Sequence, residues 1–306
     1  MASQVEDQIT QVVASIKKQR TTLDAEAKRL RTPAVIDAFD KWDHNSWCLS
    51  VVGDCLVRLR LFTEQNFNFI ETIGTIAVAR YIFELSVWLH LFKLDSRYGL
   101  VYYGQLLDTQ SRYWRDYREQ LDREIALLQR FQQMEQDTEN DAINQIKDLS
   151  DPEKQKHLLL ALPKAVSELV DEQAARHFSI YADQAKVKGY GFQAYLVEQK
   201  VVPQIEKALA DIDSEKGAFD AHIPQDVRSM IPGSWQWRQM AKKVALTDEY
   251  DFIYTCSSKL LHATPASITT DQKNLGLPEL VMFLKYINVK IADVIELARE
   301  YPSEAA

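Results

Sequence analysis

The stretch IGTIAVARYIFELSVWLHLFKL, residues 73–94, decides the fold class. Its apolar residues occupy two opposite sides of a helical wheel: Ile73, Ala77, Val87 and Leu91 on one, and Val78, Ile82, Leu85 and Leu89 on the other. A helix that is hydrophobic on every face is usually buried. Four ionisable residues interrupt the stretch: Arg80, Glu84, His90 and Lys93. Membrane-spanning helices rarely carry so many ionisable groups, so the stretch predicts a buried core helix and no membrane span.

The rest of the chain has the composition of a helical protein. It contains 9 glycines and 9 prolines in 306 residues, whereas average usage would give roughly 20 and 15. Sheets and tight turns need these residues, and helices do not. Apolar residues recur at three- and four-residue steps in most segments, which is the helical period. We therefore predict an all-α fold, a multi-helix bundle with long helices.

Domain organisation is left open by one acidic segment. A long amphipathic helix is predicted from about Tyr103 to Phe131, and residues 135–156 are then polar and acidic up to Asp151-Pro152. Such a segment is typical of a linker. Either residues 1–306 form a single helical domain, or two lobes, 1–135 and 157–300, are joined by this segment.

Charge and cysteine content exclude several classes of protein. The net charge of −8 argues against a surface that grips nucleic acid throughout, because phosphate binding needs clustered lysine and arginine. The three cysteines are too few and too dispersed for a disulfide framework. Residues 1–20 carry polar and basic side chains in place of the apolar core of a secretory signal. We predict a cytoplasmic protein.

Motifs for cofactors and metals are absent or lack their structural context. The string GYGFQA, residues 189–194, matches a loose dinucleotide-binding pattern, but no predicted strand precedes it. We interpret it as a break between two helices. The sequence has no Walker-type phosphate loop, no His-Glu-x-x-His and no cysteine pairs at zinc spacing. No cofactor and no metal are expected.

One pair of helices contains the candidate site. Arg80 and Glu84 lie one turn apart inside the apolar helix, and a buried charge is costly unless it is paired. A later helix, predicted over 248–263, carries polar residues at four-residue steps: Tyr250, Tyr254, Ser258 and His262. The helix must end near His262 because Pro265 follows. We predict that the two helices pack together.

A family resemblance rests on the same residues. The runs RYIFE (80–84), MAKKVALTDEY (240–250) and SKLLHATP (258–265) resemble a bacterial family of uncharacterised helical proteins. That domain of unknown function pairs an Arg-x-x-x-Glu helix with a Tyr-x-x-x-Ser-x-x-x-His helix. The resemblance covers roughly residues 45–300 and implies a helical bundle without an established activity.

A more distant similarity is to the HEPN superfamily (higher eukaryotes and prokaryotes nucleotide-binding), which includes metal-independent ribonucleases of toxin and defence systems. Those domains usually place an arginine a few positions before a histidine on one helix. This sequence departs from that pattern, because residues 256–259 contain no arginine. The arginine would have to come from Arg80 on the other helix.

Two hypotheses about function follow. The favoured one is a non-catalytic interaction or ligand-binding module in which the polar cluster is structural. The alternative is a HEPN-like, metal-independent ribonuclease or phosphodiesterase. In that enzyme His262 would be the general acid or base, because its ordinary pKa lies near neutrality. Arg80 would stabilise phosphate charge and Glu84 would orient the arginine.

The remaining roles and partners are less defined. In the enzymatic hypothesis, Tyr254 or Ser258 would position the substrate. The basic runs 17–20 and 28–31 offer contacts for RNA or a protein partner, although solvated helix faces have the same composition. No membrane partner is expected. The sequence leaves homo-oligomerisation open.

Overall fold

The structure is a computed structural model that describes residues 2–65, 72–261 and 275–302. It confirms the all-α, multi-helix fold, since these residues form helices and contain no strand. Helices in the first third of the chain are α1 (Ala2–Lys18), α2 (Arg20–Leu30), α3 (Pro33–Asp37), α4 (His44–Gln65) and α5 (Thr72–Leu94). The long helix α6 (Tyr98–Lys147) follows.

The described residues after α6 form long and short helices and two π-helical turns. Its elements are α7 (Pro152–Ala174), α8 (Ala182–Lys188), α9 (Tyr190–Leu196), a first π turn (Val197–Val201), α10 (Val202–His222), α11 (Gln225–Met230), α12 (Trp237–Lys243), α13 (Thr247–Glu249), a second π turn (Tyr250–Tyr254), α14 (Thr255–Leu261) and α15 (Leu277–Arg299). Elements α13 to α14 form one continuous helical segment, 247–261, which is called the tyrosine helix below. It corresponds to the helix predicted over 248–263.

The chain divides into two compact units at places that the sequence did not indicate. The first unit comprises Met1–Gly104 and His222–Ala306, and the second comprises Gln105–Ala221. The predicted lobes 1–135 and 157–300 therefore do not match the observed division. The acidic segment 135–156 is mostly helical, because α6 runs to Lys147 and α7 begins at Pro152. The segment resembled a linker in composition because an exposed helix face is also rich in polar and acidic residues.

The core of the first unit is built around α5, which packs against α4, α14 and α15. Its fully buried side chains lie on several faces, as the sequence predicted: Ile76, Ala79, Ile82, Phe83, Val87, Leu89 and Leu91. At the start of α6, Gly99 permits a close approach to α4, because a Cβ there would lie 2.1 Å from the His44 carbonyl oxygen. This contact brings the first turns of α6 to α4 and α5.

The same apolar helix meets the general criteria for a membrane span. Among the described helices, only Ile73–Leu94 is long and apolar enough, with a mean hydropathy of 1.3. In this structure 61% of the apolar segment within this helix is buried inside the protein. A buried core helix also meets these criteria, so the cytoplasmic location stays a prediction.

The second unit has its own core and confirms the helix break at the glycine string. Its buried residues come from α6 to α10 and from the first π turn, and they include Leu121, Phe131, Val170 and Val197. Gly189 follows α8 with a φ of 91°, a left-handed conformation that favours glycine, and α9 begins at the next residue. The string GYGFQA is thus a junction between two helices and lacks the strand that dinucleotide binding needs.

Candidate functional site

The predicted contact between α5 and the tyrosine helix is confirmed at Arg80. Its Nε donates to Glu84 Oε1 at 3.0 Å within α5. Across to the tyrosine helix, Nη2 donates to the Tyr254 hydroxyl at 2.9 Å and Nη1 to Ser258 Oγ at 3.4 Å. All three nitrogens of the guanidinium therefore have internal acceptors. We call Arg80, Glu84, Tyr254 and Ser258 the arginine cluster.

Aromatic rings complete the arginine cluster. The Arg80 guanidinium carbon lies 4.3 Å from the centroid of the Tyr254 ring, which is a cation–π distance. Tyr254 in turn stacks on Tyr250, with ring centroids 4.7 Å apart and planes 16° from parallel. Both tyrosines belong to the second π turn.

Burial decides the electrostatics of the cluster. The side chains of Arg80 and Glu84 are 24% and 25% exposed, so most of each ion lies out of water. Burial raises the pKa of Glu84, and the hydrogen bond and charge of Arg80 oppose this shift without cancelling it. The carboxylate is therefore only partly compensated by its partner, as is common for buried ion pairs.

A second ion pair, absent from the sequence predictions, fixes the start of the tyrosine helix. Lys290 on α15 is buried, and its ammonium donates to Glu249 Oε1 at 2.7 Å. Tyr286, one turn earlier, donates its hydroxyl to the other oxygen of Glu249 at 3.0 Å. The tyrosine helix is thus attached to α15 at one end and to α5 further along. Both attachments are consistent with a structural role.

Four of the five predicted site residues come together, and the fifth is not described. Glu84, Tyr254 and Ser258 each accept a hydrogen bond from Arg80. His262 lies outside the described residues. The catalytic roles assigned to these residues from the sequence stay predictions.

Beside Glu84 is a cleft of about 580 Å³ that the sequence analysis did not find. Its size falls within the range of small-molecule sites, about 300–1,000 Å³. Helices α4 and α5 supply most of the wall, and the rest comes from the first turns of α6 and α12 and from Arg31, which follows α2. We call this the aromatic cleft, and its lining residues are Arg31, Val51, Asp54, Cys55, Val57, Arg58, Leu61, Tyr81, Glu84, Leu85, Trp88, Tyr102 and Trp237.

The aromatic side chains of the cleft are supported from behind. Trp88 stacks on Trp235, with centroids 4.1 Å apart and planes 14° from parallel, and meets Tyr102 edge-on at 5.1 Å. Trp235 also contacts Trp237 edge-on at 5.6 Å. Tyr81 meets Phe62 edge-on at 5.0 Å. Such contacts hold rings in fixed positions, so these walls are organised before any ligand arrives.

The charged groups of the cleft divide into paired and unpaired ones. Asp54 forms an ion pair with Arg31 at 2.5 Å, and Glu84 forms one with Arg80 at 3.0 Å. In the part of the chain that the structure describes, Arg58 has no carboxylate within 4.0 Å. It lies beside Tyr81. Burial raises the pKa of Tyr81, and the Arg58 guanidinium opposes this shift without cancelling it. The described residues contain no group of three or more metal-ligating side chains.

The sequence did carry a signal for this cleft. Asp54, Arg58 and Leu61 follow at helical spacing along α4. Tyr81, Glu84 and Trp88 do the same along α5. Each set forms one face of its helix. What the sequence could not provide is that the two faces lie opposite each other.

Comparisons with known proteins leave the family open. No family model, no curated protein and no solved structure matches the chain. The resemblance to the uncharacterised bacterial family, and the more distant one to the HEPN superfamily, therefore stay predictions.

Proposed function

We propose that this protein is a non-catalytic module that binds a small molecule in the aromatic cleft. The observation that carries the proposal is the cleft itself: a site-sized cavity with fixed aromatic side chains in its walls and both apolar and charged lining residues. Ligand sites in proteins commonly have this composition. The arginine cluster supports one wall, because Glu84 both pairs with Arg80 and lines the cleft.

The contacts of Arg80 favour a structural role over a catalytic one. An arginine that stabilises phosphate charge presents its donors to the substrate. Each nitrogen of Arg80 already donates to a side chain of the protein, and its face is covered by the Tyr254 ring. Receiving a phosphate would require it to release those acceptors.

The alternative is the HEPN-like ribonuclease or phosphodiesterase, with His262 as general acid or base. One observation favours it: Arg80, Glu84, Tyr254 and Ser258 converge as that hypothesis requires. The π turn next to them adds support, because π turns are frequent at functional sites. Cleavage of RNA by the wild-type protein, abolished by His262→Ala, would establish this alternative.

A thermal-shift screen with a metabolite library tests the binding module. Leu61 is half-buried and lines the cleft, so Leu61→Trp should fill part of the cavity. Ligands stabilise the folded state in proportion to the logarithm of their concentration over Kd. We expect hits that raise the melting temperature of the wild type and leave that of Leu61→Trp unchanged.

The matched control is Leu160→Trp, which makes the same substitution at a position 76% exposed and away from the cleft lining. This variant should respond to every hit as the wild type does. A library without hits, or hits that stabilise Leu61→Trp equally, would refute a binding function for the aromatic cleft. Circular dichroism of both variants checks that they fold.

A further inference from the structure

We infer that the ligand of the aromatic cleft is a planar ring carrying an oxyanion, with the oxyanion bound by Arg58. This inference rests on the proposed function and adds the chemical class of the ligand. Two kinds of metabolite share this chemistry, namely aromatic carboxylates and nucleotides. The charge balance of the cleft indicates an anion, and the positions of its aromatic rings indicate a planar ligand.

The charge balance of the cleft favours an anion. Two carboxylates line it, and each has an arginine partner at ion-pair distance: Arg31 for Asp54 and Arg80 for Glu84. Arg58 is the lining cation without a carboxylate within 4.0 Å among the described residues. Its guanidinium presents paired donors that match a carboxylate or a phosphate. A cationic ligand would instead need one of the two paired carboxylates to be released.

Arg58 lies where it can act together with the rings. It follows Asp54 by one turn on α4 and neighbours the Tyr81 hydroxyl, on the opposite wall. Its side chain is exposed, so it retains freedom to adjust to a ligand. The anionic group of a ligand would therefore meet both a guanidinium and a phenol donor.

The aromatic lining favours a planar ligand. Tyr81, Trp88, Tyr102 and Trp237 all line the cavity. Three of them are held by ring contacts to one another or to Trp235, so they present surface without losing side-chain freedom on binding. Stacking of a flat ring on such side chains contributes to affinity in nucleic-acid-binding proteins. Aliphatic ligands would forgo this contribution.

Isothermal titration calorimetry with matched compounds tests the inference on the 306-residue chain. Indole-3-acetate and AMP represent the two sources of the ring-and-oxyanion chemistry. Indole and adenosine lack the anion, tryptamine replaces it with a cation, and inorganic phosphate lacks the ring. We expect one of the two acids to bind at least tenfold more tightly than its neutral counterpart, than tryptamine and than phosphate.

Substitution of Arg58 locates the anion. Arg58→Gln should reduce the affinity for the acid about ten- to a hundredfold, as expected for loss of a charged hydrogen bond. It should leave the affinity for the neutral ring unchanged. Arg112→Gln is the control, because Arg112 is an exposed arginine outside the cleft lining and makes the same change in net charge.

The outcomes separate this inference from the proposed function. Tryptamine or indole binding as tightly as the acids would overturn the ligand class and leave cleft binding in place. Equal losses in Arg58→Gln and Arg112→Gln would overturn the role of Arg58. Absence of binding by both acids would overturn the inference as a whole, and the library screen with Leu61→Trp would then decide the proposed function by itself.

Discussion

Two buried charged sites, one in each unit, are satisfied in different ways. In the first unit, Arg80 and Glu84 are about three-quarters buried and depend on side chains of another helix. In the second unit, Glu124 on α6 is 1% exposed. Its carboxylate accepts hydrogen bonds from the Ser179 hydroxyl and from the backbone N–H groups of Ile180 and Tyr181.

The difference shows what makes a buried charge visible in a sequence. Arg80 and Glu84 stand out because their neighbours on α5 are apolar. Glu124 is surrounded in sequence by Asp122, Arg123 and other surface charges, so nothing distinguishes it. Its hydrogen-bond donors also leave no pattern in the sequence, because two of the three are backbone N–H groups. We expect substitutions at these sites to differ in their cost to stability.

The largest loss of stability should come from Glu124→Ala. The substitution removes the acceptor of the partly buried Ile180 N–H and leaves the Tyr181 N–H with its longer contact to Ser179 Oγ, at 3.3 Å. The unfolding free energy should fall by about 3–4 kcal/mol. Glu119→Ala, at a side chain 68% exposed on the same helix, is the control and should change it by less than about 0.5 kcal/mol. Urea unfolding measures both. Equal effects would mean that Glu124 does not hold the segment before α8.

Arg80→Ala should cost less, about 2–3 kcal/mol, because the pair it breaks is not fully buried. The variant leaves Glu84 without its cation and Tyr254 without its donor. Arg80→Lys should recover only part of the loss, since an ammonium cannot reproduce the three separate contacts of the guanidinium. Arg123→Ala, at an exposed arginine, is the matched control. A loss below 1 kcal/mol in Arg80→Ala would show that the cluster contributes little to packing.

Glu84→Gln should have a smaller effect that changes with pH. The pKa of Glu84 in the fold is raised above its ordinary value of 4.5, mainly by burial. The folded state therefore binds more protons than the unfolded state, and stability from this group is present below pH 4.5 and is lost as the pH rises through the raised value. Glutamine keeps an acceptor for Arg80 and does not ionise.

Stability of Glu84→Gln relative to the wild type should therefore improve as the pH rises from 4 to 7. Urea unfolding at several pH values measures it, with Glu119→Gln as an exposed control. The opposite trend, with glutamine becoming relatively worse at neutral pH, would mean that the ion pair with Arg80 outweighs burial.

The smallest effect on stability should come from Arg58→Gln. This arginine is exposed and has no carboxylate partner among the described residues, so its replacement should change the unfolding free energy by less than about 0.5 kcal/mol. Comparison with Arg80→Ala separates an arginine that supports the fold from one that is available to a ligand. A loss above 1 kcal/mol would place Arg58 among the structural residues.

Sequence patterns predicted the parts of the molecule that depend on local chemistry. Apolar spacing gave the helices, and the cost of a buried charge predicted the contact of Arg80 with Tyr254 and Ser258. Local sequence patterns did not predict contacts between helices that are far apart in the chain. The unit boundary at Gly104 and His222 and the pairing of Lys290 with Glu249 depend on packing between helices far apart in the chain. The aromatic cleft depends on it as well.

We propose that the aromatic cleft binds a small molecule while the arginine cluster supports its wall. The most direct measurement is calorimetric titration of the strongest hit into wild type, Leu61→Trp and His262→Ala, with the ligand analysed afterwards. We expect binding with one site per chain to wild type and to His262→Ala, loss of binding in Leu61→Trp, and a chemically unchanged ligand. Turnover of the ligand that His262→Ala abolishes, or full affinity in Leu61→Trp, would contradict it.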